Sequence, residues 1–181
     1  MSKPILLAYA TRYGSTKEVA EAVAATLREH GLEVDLQPMR KVQTLEGYCA
    51  VVLGAPLYIG SLHKDARRFL AQHREALSKR PVVIFALGPT RDDEQERQGA
   101  RAQLDEEIAK FPWLTPVALE MFGGKYDPTT LRFPDSLLAS LPASPLYNQP
   151  ASDARNWTAI RTWANNLIAV LQPALASKEQ R

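Results

Sequence analysis

Short apolar runs alternate with longer amphipathic segments along most of the 181-residue chain. Most of these runs are continuous, which is typical of parallel strands that helices cover on both faces. Residues 33–37 instead alternate polar and apolar positions, which indicates an edge strand with one face less buried. The predicted strands are 5–10, 33–37, 50–54, 81–87 and 116–122.

The segments between the runs carry apolar residues at helical spacing, as Val19, Val23 and Leu27 do. The predicted helices are 17–30, 61 or 63 to 77, one that begins at 92 or 93, and one from an Asp153 cap to Pro173. Strands that alternate with helices, without internal repeats, predict one doubly wound α/β domain spanning 1–181. We expect helices on both faces of its five-stranded parallel sheet. Residues 173–181 are predicted to form a tail.

Residues 125–152 break this alternation, and we call them the excursion. They contain five prolines and six large apolar residues, with one short helix predicted near 135–141. The apolar residues are Leu131, Phe133, Leu137, Leu138, Leu141 and Leu146. Such a long irregular run in a compact domain is usually functional, so we expect a partner or substrate surface. The alternative is that Leu131, Phe133 and Leu137 only cap the end of the core.

The turn after the first strand is polar and leads directly into a helix. Its sequence is Thr11-Arg12-Tyr13-Gly14-Ser15-Thr16. A helix begins with unpaired N–H groups and the positive end of its dipole, so an anion is favourable there. Hydroxyl groups add donors, Gly14 allows a positive φ, and the Arg12 guanidinium can assist a dianion. The loop therefore predicts a phosphate site, and an ordinary Thr/Ser helix cap is the alternative.

The spacing of this loop separates it from other phosphate loops. It matches neither G-x-x-x-x-G-K-[ST] nor G-x-G-x-x-G. T-x-x-G-x-T after the first strand resembles the FMN phosphate loop of the flavodoxin family. Gly54 to Gly60 resembles the flavin-covering loop of the same family. This resemblance implies that Pro56, Leu57, Tyr58, Ile59 and Gly60 lie against the flavin.

Two further stretches resemble one branch of that family. Phe122-Gly123-Gly124-Lys125 and the closing residues 153–164 are similar to the branch that contains menaquinone-dependent protoporphyrinogen dehydrogenase. The resemblance implies that FMN is the cofactor and that Gly123 and Gly124 lie near it. It also implies that Leu87, Gly88, Pro89 and Thr90 offer backbone donors to the flavin pyrimidine. Tyr58 or Leu57 would lie against the flavin, although Tyr58 could instead close the core.

The positions of the loops favour one strand order. In the order 2-1-3-4-5, the phosphate loop and the apolar loop after strand three meet at the switch point. The rival order 3-2-1-4-5 would pair the phosphate loop with residues 88–90, which suit a large aromatic ligand less well. We therefore predict the flavodoxin order, with right-handed crossovers.

Charge and composition limit the classes of partner and cofactor that we expect for this chain. The net charge of +2 is nearly balanced, which indicates no nucleic-acid partner and is unlike the strongly acidic electron carriers of the family. Cys49 is the only cysteine, and the three histidines build no metal site or catalytic triad. No apolar run reaches the length of a membrane span and no signal peptide precedes the first strand, so a cytoplasmic location is expected.

Three classes of function follow. The first is an FMN oxidoreductase that transfers electrons between a redox partner and a quinone, a porphyrinogen or a similar substrate. The resemblance to the protoporphyrinogen dehydrogenase branch implies a role in heme biosynthesis. The second is a flavodoxin-type electron carrier without a substrate. The third, a phosphorelay receiver, needs an acidic pair after strand one and an aspartate after strand three, where this chain has other residues. No catalytic residue is identified. The excursion would suit a quinone, a porphyrin ring, a membrane surface or a second subunit.

Overall fold

A computed structural model describes residues 3–176 of the chain. Its strands are β1 (Ile5–Tyr9), β2 (Val34–Pro38), β3 (Ala50–Tyr58), β4 (Ser61–Leu62), β5 (Val82–Leu87), β6 (Ala118–Phe122), β7 (Lys125–Tyr126) and β8 (Ser152–Asp153). Its α-helices are α1 (Ser15–Glu29), α2 (Lys64–Gln72), α3 (Arg74–Ser78), α4 (Glu94–Ala109), α5 (Asp135–Ser140) and α6 (Trp157–Ala176). Short 3₁₀ turns lie at Met39–Lys41 and Pro128–Thr130.

The central sheet has the strand order β2-β1-β3-β5-β6, and each neighbouring pair in this order is parallel. The two-residue strand β4 is an antiparallel addition to β3. With β4 left out of the count, this is the predicted order 2-1-3-4-5, and β2 is the predicted edge strand. The fold class is therefore confirmed.

Apolar side chains cover both faces of this sheet. On one face α1 and α6 pack through residues that include Val23, Leu27 and Leu167. On the other face α2 and α4 contribute Leu70 and Leu104, among others. The two layers confirm the prediction of helices on both faces, and they leave the strand ends as the edge where loops can form a site.

Several predicted boundaries were wrong, and the single helix predicted up to residue 77 is two helices, α2 and α3, which meet at His73. Strand β3 continues through the predicted loop to Tyr58, because β4 pairs with its last two residues. Helix α6 begins after Asn156, whose Oδ1 accepts from the Ala159 N–H at 2.9 Å, whereas Asp153 binds Arg155. The same helix passes Pro173 and reaches Ala176. The remainder of the predicted tail, 177–181, lies outside the described residues.

The excursion is closed at its base by a two-stranded ribbon. Strands β7 and β8 pair antiparallel, with Lys125 opposite Asp153 and Tyr126 opposite Ser152. The short helix predicted at 135–141 is present as α5. The excursion therefore leaves and rejoins the domain at one point, directly after the end of β6.

A polar cluster at the β2 edge gives a pH prediction. Tyr48 Oη donates to Asp35 Oδ2, and Gln37 Nε2 donates to the same oxygen at 2.6 Å. Burial and the hydrogen bond from Tyr48 to Asp35 raise the pKa of Tyr48 to about 12. The pKa of Tyr48 is thus higher in the folded protein than the value of about 10 in the unfolded chain. The stabilisation that the neutral Tyr48 phenol contributes to the fold is complete below pH about 10 and is lost as the pH rises through about 12. We expect the free-energy cost of Tyr48→Phe, measured by urea unfolding, to shrink across that window. A cost that stays constant with pH would contradict this.

Candidate functional site

The polar loop after β1 folds as a tight turn onto α1. Gly14 has φ 92°, in the left-handed region that glycine adopts without strain. No heavy atom lies within 4 Å of a β-carbon placed there, so backbone conformation and not space requires the glycine. The Gly14 N–H donates to Thr11 Oγ1 at 2.9 Å, which closes the turn. The positive φ predicted for Gly14 is confirmed.

The first turn of α1 has no side-chain cap. The residue before the helix is Gly14, which has no side chain to accept from the first N–H groups. The ordinary-cap alternative therefore does not describe this helix. Its free N–H groups and the positive end of its dipole face the loop, which is the arrangement that binds anions.

Thr16 provides an unpaired donor at this helix end. The residue is fully buried, and its Oγ1 has no hydrogen-bond partner among residues 3–176. A buried hydroxyl without a partner costs about 1–3 kcal/mol. A phosphate oxygen that accepted from it would remove this cost. The unpaired Thr16 hydroxyl is therefore a reason to expect a phosphate group in this loop. The sequence could not show that this hydroxyl lacks a partner.

Arg12 and Tyr13 point toward the excursion. Arg12 Nη2 lies 2.7 Å from Asp135 Oδ2, and Tyr13 Oη donates to the same oxygen at 2.5 Å. The Arg12 guanidinium also lies 5.9 Å from the centre of the Tyr58 ring, in cation–π range. Arg12 therefore contacts both the excursion and the loop after β3. Its predicted contact with a phosphate stays a prediction.

The residues after β3 form a β-hairpin and not the predicted irregular loop. Ile59 (φ 48°) and Gly60 (φ 70°) make a two-residue turn with both φ values positive. This conformation is uncommon for a β-branched residue such as Ile59, which is also 85% exposed. Tyr58 is 53% exposed, so it does not close the core. Pro56 and Leu57 are half-buried beneath this tip.

A buried carboxylate holds the hairpin in place. Glu107 of α4 is 1% exposed, and its Oε1 accepts from the Leu62 N–H at 3.1 Å. Its Oε2 lies 2.5 Å from Lys110 Nζ, which partly balances the buried charge. Glu107 was missed at the sequence level because it is an acidic residue in a strongly charged helix, where nothing separates it from its exposed neighbours.

The stretch from Leu87 to Thr90 offers fewer donors than predicted. The Gly88 N–H donates to Phe122 O at 2.9 Å, and Pro89 has no N–H. Leu87 belongs to the sheet ladder. Among the four predicted donors, Thr90 is thus the one whose amide has no backbone partner within residues 3–176 and is left for a ligand. The four residues lie at the end of β5, next to the end of β3.

Gly123 and Gly124 are required by close packing. A β-carbon on Gly123 would lie 2.1 Å from Ala154 O, and one on Gly124 would lie 2.4 Å from Gly88 O. The Gly124 N–H also donates to Pro89 O at 2.7 Å. Gly124 lets the chain pack closely against residues 88–90, and Gly123 lets it pack closely against Ala154. Their predicted contact with a cofactor stays a prediction.

Arg155 is a second residue that the sequence did not reveal. Its side chain is 3% exposed and binds Asp153 through two nitrogens and Glu18 through a third, at 2.6 Å. It also donates to Ser15 O at 3.3 Å. These bonds raise the pKa of Arg155 and keep its charge in place. The first turn of α1 is thereby fastened to the start of α6.

The sheet brings three predicted segments to one edge. Residues 11–16 follow β1, residues 56–60 cover the end of β3 and its turn, and residues 87–90 cover the end of β5 and its loop. Within residues 3–176, no group of three or more His, Cys, Asp or Glu side chains could hold a metal ion. In the same range no helix has the length and apolar character needed to cross a membrane.

Comparison with known proteins agrees with this geometry. The model of the flavodoxin domain family matches residues 6–144. Protoporphyrinogen IX dehydrogenase [quinone] of Escherichia coli (strain K12) is 29% identical over 84 residues, which cover 45% of this chain and 46% of that protein. The chain thus aligns with about half the length of the curated relatives it matches.

Solved structures share the fold at low identity. Oxidised flavodoxin 2 from Bacillus cereus superposes with a TM-score of 0.54 at 20% identity, over 97% of this chain and 99% of that one. The Flv1 flavodiiron core from Synechocystis sp. PCC6803 gives a TM-score of 0.58 at 13% identity, over 96% and 37%. These likenesses concern the fold, whereas the family model matches more than half of the sequence. The chain belongs to the flavodoxin domain family.

Proposed function

We propose that this chain binds FMN and acts as an oxidoreductase that moves electrons between a quinone or porphyrinogen-type substrate and a redox partner. The observation that carries the choice of an enzyme is the excursion. It presents exposed apolar side chains while its Asp135 is bound to the phosphate loop. An apolar surface that leaves the sheet directly after β6, at the edge of the predicted flavin loops, suits a large apolar substrate.

The residues of the loop fit the phosphate of FMN. The Thr16 hydroxyl, the Ser15 hydroxyl and the uncapped N–H groups of α1 would hold a phosphate monoester. Tyr58 and Leu57 would exclude water on one side of the ring system, and the Thr90 amide would donate to its pyrimidine edge. When bound, FMN supplies one- and two-electron transfer.

The exposure of the excursion supports a substrate surface. Phe133 is 80% exposed, and Leu137, Leu138 and Leu141 are 52%, 40% and 45% exposed. The alternative is that Leu131, Phe133 and Leu137 only cap the core. Leu131 is half-buried, but the exposure of Phe133 and Leu137 disfavours this alternative, because capping residues would be buried. The quinone and porphyrinogen classes follow from the relative in Escherichia coli, whose name states that it is a quinone-dependent protoporphyrinogen IX dehydrogenase.

A flavodoxin-type electron carrier is the second candidate. It is favoured by the Bacillus cereus flavodoxin, which aligns over nearly the full length of both chains. The balanced charge of +2 favours the enzyme instead. Turnover of a quinone by the purified protein with a chemical reductant separates the two, because a carrier would pass electrons only to a protein. A cytoplasmic location, one domain over 1–181 and a place in heme biosynthesis remain predictions.

The identity of the cofactor gives the first test. We expect the purified protein to be yellow and to release FMN, not FAD, on denaturation, because the site has one phosphate nest. The measurement is the visible spectrum, followed by chromatography of the released flavin. A colourless protein that also fails to bind added FMN would overturn the proposal.

A further inference from the structure

Asp135 contacts the two loop residues that lie between Thr11 and Gly14. Its side chain is 9% exposed, although it belongs to the solvent-facing excursion. One carboxylate oxygen, Oδ2, receives both Arg12 Nη2 at 2.7 Å and Tyr13 Oη at 2.5 Å. The partners are more than a hundred positions apart in the chain, so the contact joins the excursion to the phosphate loop.

Tyr13 reinforces this attachment. Its Oη accepts from the Arg132 N–H at 3.4 Å while it donates to Asp135. Burial and then the bond to Asp135 raise the pKa of Tyr13, so the phenol stays a donor at neutral pH. The backbone next to Arg132 is therefore held as long as the Asp135 contact is made.

Arg12 has a second anion within its reach under the proposed function. The residue lies inside the loop that would hold a phosphate, and its side chain is 43% exposed. A phosphate monoester carries nearly two negative charges at neutral pH. A dianion in the loop attracts the guanidinium and repels the carboxylate that now holds it.

Resting on the proposed function, we infer that Asp135 competes with the phosphate of the ligand for Arg12 and thereby sets the selectivity of the loop for phosphorylated flavin. A phosphate in the loop weakens the Arg12–Asp135 contact. The excursion is then less firmly attached to the phosphate loop when a phosphorylated flavin is bound.

Asp135→Asn tests the charge while it keeps the shape of the side chain. We expect the Kd for FMN to fall about three- to tenfold, because the variant removes a negative charge that competes for the half-exposed Arg12 guanidinium. The Kd for riboflavin, which lacks the phosphate, should not change. Asp127→Asn is the matched control, because Asp127 lies in the same excursion and its carboxylate, among residues 3–176, accepts hydrogen bonds from the neighbouring Thr129. Weaker FMN binding, or equal changes for FMN and riboflavin, would overturn the inference.

Trypsin provides a second measurement on the natural sequence. The bond after Arg132 is a tryptic site, and both Arg132 and Phe133 are exposed. We expect saturating FMN to speed cleavage there, riboflavin to leave it unchanged, and Asp135→Ala to be cleaved fast without ligand. Protection of the bond by FMN would overturn the inference.

The outcomes also separate this inference from the proposed function. If the natural protein binds neither FMN nor riboflavin, the proposed function fails and the inference fails with it. If FMN binds but the ratio of its Kd to that of riboflavin is the same in Asp135→Asn, only the inference fails.

Discussion

Thr16→Val is expected to weaken FMN binding by about 1–3 kcal/mol, or roughly 5- to 150-fold, without destabilising the ligand-free protein. Valine keeps nearly the same volume and removes only the hydroxyl. That hydroxyl is buried and has no partner among residues 3–176, so the ligand-free fold loses no bond. The thermal midpoint without ligand should be unchanged or higher. The Kd for FMN is measured by quenching of flavin fluorescence.

Two matched variants show whether the effect belongs to the phosphate. Thr16→Ser keeps the hydroxyl and should keep most of the affinity. Thr26→Val removes another buried hydroxyl of α1, which donates to Ala22 O at 3.0 Å, so it should lower stability and leave FMN binding unchanged. A variant at Thr16 that loses FMN affinity but keeps stability, beside a variant at Thr26 that loses stability but keeps FMN affinity, would identify Thr16 as a ligand-binding hydroxyl. If Thr16→Val binds FMN as tightly as the natural protein, Thr16 is only a packing residue.

Replacing residues 128–150 by a short Gly/Ser linker is expected to leave FMN bound while it lowers quinone or porphyrinogen turnover about 100-fold. The ends of the cut lie just inside the β7–β8 ribbon, whose paired residues stay in place. The removed segment contributes exposed apolar side chains such as Phe133 and no strand of the central sheet. Turnover is measured with a soluble quinone and a chemical reductant, at saturating FMN.

The linker also removes Asp135, so a point variant separates the two effects. Leu137→Ser changes an exposed apolar residue and keeps the Asp135 contact, so it should raise KM for the substrate with little change in FMN affinity. Asp135→Asn should change FMN affinity with little effect on KM. A shortened protein that keeps full activity with every acceptor would mean that the excursion is not the substrate surface, and the electron-carrier proposal would gain support.

The sequence by itself determined the sheet, its strand order and the glycine that the turn after β1 needs. Continuous apolar runs identify buried parallel strands because helices cover both faces of such a sheet. The helix cap at Asp93 was also readable, since it is local, and its carboxylate accepts from the Glu96 N–H at 2.9 Å. Gly14 was readable because the need for a positive φ depends on one turn and not on distant residues.

The tertiary structure alone decided what surrounds the loop. The extension of β3 depends on its pairing with β4. The start of α6 depends on Arg155, which binds both Asp153 and Glu18, so that Asp153 does not cap the helix. The contact of Asp135 with Arg12 joins residues whose separation in the chain carries no periodic signal. Hydrophobic periodicity reports which face of an element is buried, but it does not report which charged side chains meet across elements. The charges around the candidate site therefore depend on the folded chain. The position of the site, at the ends of β1, β3 and β5, follows from the order of the strands and could be predicted from the sequence.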